Sequence, residues 1–112
     1  KLMSNKPIIY AMANPIPEIM PNIAKKAGAY IIGTGRSDFP NQINNALVFP
    51  GLFRGLLDNK IKIITDEIKI AVAETLANSL KNSDLSANKI LTSILDRNVP
   101  RLISKKLRSF RK

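Results

Sequence analysis

The chain has no cysteine and no histidine. Without cysteine there is no disulfide framework, no thiolate metal site and no cysteine nucleophile. Without histidine the commonest general base and the commonest metal ligand are both missing. Chemistry done by this chain has to use carboxylates, amides, Lys, Arg, Ser, Thr or Tyr. No apolar run approaches the ~18 residues that a membrane-spanning helix needs. The opening Lys1-Leu2-Met3-Ser4-Asn5-Lys6 lacks the apolar core of a secretory signal. There is no internal repeat and no low-complexity segment. The eight acidic residues are dispersed and none shows the clustered spacing of a metal site or a glycosidase pair.

What is present is ordinary globular material, 112 residues with 45% hydrophobic and 23% charged, about one small domain. The charge is uneven. Residues 1–88 hold ten basic and seven acidic residues, whereas residues 89–112 hold eight and one, so +7 of the total +10 lies at the C-terminal end. A basic end of this kind either binds nucleic acid or an anionic membrane surface, or simply keeps the chain soluble.

Pro7 to Ala13 is a short run apolar on both faces, closed by Asn14-Pro15, and reads as a buried strand of a parallel sheet. A helix is expected over Pro17–Ala27, with Ile19, Met20, Ile23, Ala24 and Ala27 at helical spacing and Gly28 in the C-terminal glycine position. Ala29–Gly35 gives a second apolar strand. Strand, helix and strand in about 28 residues match one right-handed crossover unit. Pro50 suits the first turn of a helix carrying Leu52, Phe53, Leu56 and Leu57, whose Gly51 and Gly55 would let a neighbour lie close. Thr65 is a good N-cap, followed by Asp66, Glu67 and the stripe Ile68, Val72, Leu76, Leu80, with Asn82-Ser83-Asp84 ending that helix. Pro100–Phe110 is a further helix, with Val99, Ile103, Leu107 and Phe110 opposite Lys105, Arg108, Arg111 and Lys112. The pattern is an α/β layer: a partial Rossmann-like parallel sheet with helices.

Candidate site residues follow from this layout. The turn Gly33-Thr34-Gly35-Arg36-Ser37-Asp38 begins like a dinucleotide fingerprint but has Asp in place of the third glycine, and Pro40 interrupts any helix opening there. Gly35 could approach a phosphate and Arg36 could pair with one; a structural or surface Arg is the other reading. Asn14 ends the first strand, where its amide could donate to and accept from a substrate carboxylate or hydroxyl; a simple Asn-Pro turn is the alternative. Asn44 and Asn45 precede the apolar Ala46–Phe49, one capping a helix and one available to a ligand. Tyr10 and Tyr30, in apolar strands, are expected in the core.

Ala13-Asn14-Pro15-Ile16-Pro17-Glu18-Ile19, Thr34-Gly35-Arg36-Ser37-Asp38-Phe39-Pro40-Asn41-Gln42, the pair Asn44-Asn45 and Phe49-Pro50-Gly51-Leu52-Phe53-Arg54-Gly55 together resemble the bacterial-type malic enzymes. The likeness is close over about residues 7–80, and residues 90–102 resemble a worn form of a later segment. The resemblance implies the C-terminal portion of an NAD(P)-binding domain over residues 1–96, followed by a basic helix or tail over 97–112. It implies a family activity, the oxidation of malate with NAD or NADP and a divalent metal, Mg or Mn, and decarboxylation to pyruvate and CO2. It assigns malate contact near the nicotinamide to Asn14, Asn44 and Asn45, so that Asn14 joins Gly35 and Arg36 of the glycine turn as a candidate cofactor contact. The family's catalytic tyrosine and lysine, metal carboxylates and glycine-rich fingerprint have no counterpart here. The expectation is therefore a fragment with a sheet incomplete on its N-terminal side, inactive alone, with no catalytic or metal residue of its own and no tight cofactor binding. It would come from a split or decayed gene or be an excised piece of a cytoplasmic, homo-oligomeric enzyme. The competing readings are an interaction module docking on a separate N-terminal piece and nucleic-acid binding through 97–112.

Overall fold

The computed structural model describes residues 2–111. Its elements are β1 (Ile8–Ala11), α1 (Pro21–Lys26), β2 (Ile31–Thr34), α2 (Phe49–Asp58), α3 (Asp66–Ala77) and α4 (Asn98–Lys106), with short 3-10 turns at Asn45–Leu47, Asn82–Asp84 and Leu107–Phe110. Two compact units form, one from residues 1–44 and 82–91, the other from residues 45–81 and 92–112.

In the first unit β1 and β2 pair in parallel, Ile8 with Ile31 through to Ala11 with Thr34, and α1 packs on β2. The crossover unit is thus as the apolar runs foretold. Helix α1 is shorter than Pro17–Ala27. Its N-cap is Met20 and Pro21 stands at its start, because a proline lacks the amide and fits only the first turn. Pro15 and Pro17 keep residues 13–20 irregular. Gly28 ends the helix at φ +104, a conformation that costs a side chain. The interior of this unit is built from small residues, Ala11, Ala24 and Ala29.

The strands are not buried on both faces. Ile8, Tyr10 and Met12 alternate along one side of β1 at 51, 53 and 48% exposure, and Tyr30 is 50% exposed. Tyr10 and Tyr30 are therefore not core residues. Side chains at i and i+2 share a face, and among the described residues no layer covers this one. The Tyr10 ring lies against Gly33, where a Cβ would sit 3.1 Å from it, and the Lys6 ammonium lies 5.3 Å from the Tyr30 ring centre.

The second unit holds the larger core: Leu52 and Leu56 of α2, Ile68 and Val72 of α3, and Val99, Ile103 and Leu107 from α4 and the turn after it. Ile103 and Leu107 are fully buried, so the basic C-terminal helix is one wall of a core. Its apolar stripe faces in while Arg101, Lys105 and Arg108 stay exposed. Pro50 lies in the first turn of α2. Gly51 and Gly55 provide the close approach to α4, since a Cβ on Gly51 would lie 2.7 Å from the Pro100 carbonyl oxygen. Phe53 and Leu57, on the far side of α2, are exposed. Thr65 caps α3 by accepting from the Ile68 amide at 3.5 Å. Glu67 is held below the usual carboxylate range by its hydrogen bond with the Thr65 side chain and by its own amide. Helix α3 ends at Ala77 with Asn78 as C-cap, so Leu80 is buried beyond the helix and Asn82-Ser83-Asp84 forms a separate turn.

Candidate functional site

Two parallel strands end side by side at Ala11 and Thr34, and in open α/β sheets the carboxyl ends of such strands carry the ligand crevice. Asn14 follows β1 by three residues, and its peptide bond to Pro15 is cis. Its carboxamide lies flat against Gly35, just past β2. A Cβ at position 35 would be 2.9 Å from Asn14 Nδ2, 3.1 Å from Oδ1 and 3.3 Å from Cγ. The structure therefore brings Asn14 and Gly35 together, and the lack of a side chain at Gly35 makes that possible. Asn14 is solvent-accessible, as a ligand-binding amide must be.

The loop holding Asn14 is closed by Glu18, whose Oε2 accepts from the Ala13 amide at 3.2 Å. Hydrogen bonds from its own amide and from that of Ala13 keep the Glu18 carboxyl below its ordinary value. Glu18 stands in the Ala13–Ile19 motif, but its loop-closing role was not legible, because the signal, a carboxylate five residues after the amide that it accepts from, is visible only once the loop is closed.

Arg36 does not point its fork into open crevice. Nε and Nη2 donate to the two carboxylate oxygens of Asp38 at 2.8 and 2.7 Å, and the guanidinium lies 5.4 Å from the Phe39 ring centre. This hydrogen-bonded pairing holds Asp38 below the usual carboxylate range. The Arg36 amide donates to Thr34 Oγ1 at 3.2 Å. No helix begins directly after the glycine turn. The chain instead loops round to lie beside the end of β2, with the Ile43 amide donating to the Thr34 carbonyl at 2.7 Å and Gln42 in a single parallel bridge with Thr34.

Asn41 is the residue that sequence reasoning passed over. It is 8% exposed and sits at φ +57, a region that Asn enters more readily than most residues. Its Nδ2 donates to the carbonyls of Ile32 at 3.0 Å and Ala87 at 2.8 Å, and its Oδ1 accepts from the Ile90 amide at 3.0 Å. One amide thus ties the end of the sheet to residues 82–91 and sets the course of the loop leading to Asn44.

Asn44 is half-buried at the end of the first unit, and Asn45 is exposed at the start of the 3-10 turn in the second. Neither caps α2, whose N-cap is Val48. The 3-10 turn stands between the pair and α2, with the Val48 amide donating to the Asn45 carbonyl. Among the described residues no group of three or more acidic side chains could hold a metal ion, and no helix is long and apolar enough to cross a membrane.

The family described as "Malic enzyme, NAD binding domain" matches residues 1–106. The chain is 50% identical over 103 residues to the bifunctional malic/malolactic enzyme of Bacillus subtilis, covering 92% of this chain and 25% of that protein. It is 46% identical over 99 residues to the NAD-dependent malic enzyme of Geobacillus stearothermophilus, covering 88% and 20%. Among solved structures, the malic enzyme of Pyrococcus horikoshii superposes with a TM-score of 0.89 at 44% identity, over 96% of this chain and 24% of that one. The NAD-dependent malic enzyme of Thermotoga maritima gives 0.86 at 39% identity, over 95% and 27%. The chain thus spans about a quarter or less of the curated relatives just described. With a Rossmann-like strand–helix–strand layer, an amide seated on a glycine at its crevice edge, and these likenesses in agreement, this chain belongs to the malic enzyme NAD-binding-domain family.

Proposed function

We propose that this chain supplies the substrate and nicotinamide side of an NAD(P)-dependent, malate-oxidising and decarboxylating site, with Asn14 as its central residue. The observation that carries the reading is the Asn14 carboxamide held against Gly35 at the carboxyl ends of β1 and β2. A neutral amide there donates through Nδ2 to a carboxylate or hydroxyl and accepts through Oδ1. It orients malate and the carboxamide of a nicotinamide ring without adding charge beside a developing carbonyl. Asn44 and Asn45 are proposed to contact the same substrate, and Gly35 and Arg36 to lie on the cofactor side. Since Arg36 is already engaged by Asp38, its part is to shape the loop.

The dispersed carboxylates do not fit a divalent metal. In this proposal, Mg or Mn and the proton-transfer groups come from outside residues 1–112, and the chain alone turns over no malate. A cytoplasmic, homo-oligomeric whole belongs to the same proposal.

The test is a hybrid in which residues 1–106 replace the matching quarter of the Bacillus subtilis relative. It should oxidise malate, and Asn14→Ala should reduce kcat/KM by at least about tenfold, the loss of one or two hydrogen bonds to a charged substrate. Gly35→Ala should do the same by displacing the Asn14 amide. A folded hybrid indifferent to both substitutions refutes the assignment, and so does turnover by the isolated chain.

A further inference from the structure

The second unit contains a cavity of about 530 Å³ that none of Asn14, Gly35, Arg36, Asn44 and Asn45 lines, within the 300–1,000 Å³ range typical of small-molecule sites. Its apolar wall is formed by Ile61, Ile68 and Phe110, and its polar lining includes Lys60, Lys62 and Arg111. No Asp or Glu lines it. Among the described residues none of these three cations has an ion pair. Ile68 is buried in the core, and Ile61 and Phe110 pack against that core, so the wall is fixed by the fold.

Lys60 makes the site more specific. It follows Asn59, the C-cap of α2, at φ +54. Its amide donates to the Leu57 carbonyl and that of Ile61 to the Leu56 carbonyl. This is the helix-ending turn in which glycine is favoured, because a side chain in the left-handed region is strained. The lysine at this position therefore adds an exposed cation to the lining of the cavity at some cost in stability.

We propose that this cavity binds a small amphiphilic carboxylate, its hydrocarbon part against Ile61, Ile68 and Phe110 and its carboxylate among Lys60, Lys62 and Arg111. The charge of the lining decides the headgroup and the apolar wall decides the body. A fully polar anion would leave the wall wet, and a neutral hydrocarbon would leave three cations unmatched.

The test uses the full 112-residue chain and decanoate as probe. Calorimetric titration should show saturable 1:1 binding, with amide shifts perturbed at residues 60–65 and at Phe110. 1-Decanol should bind several-fold more weakly, and added salt should narrow that gap. The Lys62→Glu, Arg111→Glu double variant should bind decanoate about tenfold more weakly, since each reversed surface charge removes a modest attraction and adds a repulsion. Lys60→Gly separates binding from folding: Tm should hold or rise while decanoate affinity falls. Equal affinity for decanol, perturbation centred on the exposed Ile8–Met12 face, unaltered affinity in the double variant, or absence of saturable binding each overturns the proposal.

Discussion

Replacing Gly51 by alanine tests the account of how α2 meets α4. In an exposed helix the exchange would stabilise by about 1 kcal/mol, because alanine loses less backbone freedom on folding. Here the new methyl would lie 2.7 Å from the Pro100 carbonyl oxygen, 2.8 Å from Pro100 Cα and 2.9 Å from Ile103 Cβ. Two of these atoms are backbone, and all three are closer than real Cβ atoms come, so α4 must move outward. Overpacking of a well-fitted contact costs about 1–3 kcal/mol, and a shift of α4 also disturbs the fully buried Ile103, which favours the upper end. The net expectation is a loss of about 1–2 kcal/mol, or a fall in Tm of roughly 5–10 °C, measured by thermal and urea unfolding followed by circular dichroism. Gly55→Ala should cost less. Its nearest obstacle, at 2.6 Å, is Leu107 Cδ1, a side-chain end, and the nearest backbone atom, Ser104 Cα, is 3.1 Å away, so a smaller shift suffices than at Gly51. Gly51→Ala as stable as the parent, or more so, would show that the helices do not meet as described.

Two further outcomes follow from the loop network. Asn41→Ala removes three hydrogen bonds and places alanine in the left-handed region, which should cost about 2–4 kcal/mol; hydrogen exchange at the Ile90 amide should accelerate more than exchange within α3. The Glu18 carboxyl lies below its ordinary value of 4.5 when folded, so its contribution to closing the Asn14 loop is complete above that value and is lost as pH falls through the lower, folded one. The Ala13 amide shift should follow this titration, and Glu18→Gln should abolish its pH dependence.

How much could be read beforehand depended on how far apart the determining residues lie. Thr65, Pro50 and the glycine pair Gly51 and Gly55 were legible, because caps, first-turn prolines and close approaches are signalled within a turn or two of helix. The sequence put Asn14 and Gly35 each just past the end of an apolar strand, but the direct seating of one on the other required the two strand ends to be side by side. The start of α1 was misjudged because apolar spacing over 17–27 outweighed three prolines in the reading, whereas in the chain they confine the helix to Pro21–Lys26. Tyr10 and Tyr30 were misjudged because an apolar strand does not say whether a second layer covers it. Asn41 was missed because its partners at Ala87 and Ile90 are 46 and 49 residues away, beyond any local pattern.

The Asn41 tie has a practical consequence. The chain leaves the first unit after residue 44, builds α2 and α3, returns for residues 82–91, and departs again for α4. No single cut can divide a polypeptide interleaved in this way into two intact halves. Stopping synthesis at residue 44 would orphan Asn41, and starting it at residue 45 would carry along a spare length, 82–91, stripped of its mate. Dissecting the molecule calls for excising an internal stretch and rejoining the ends.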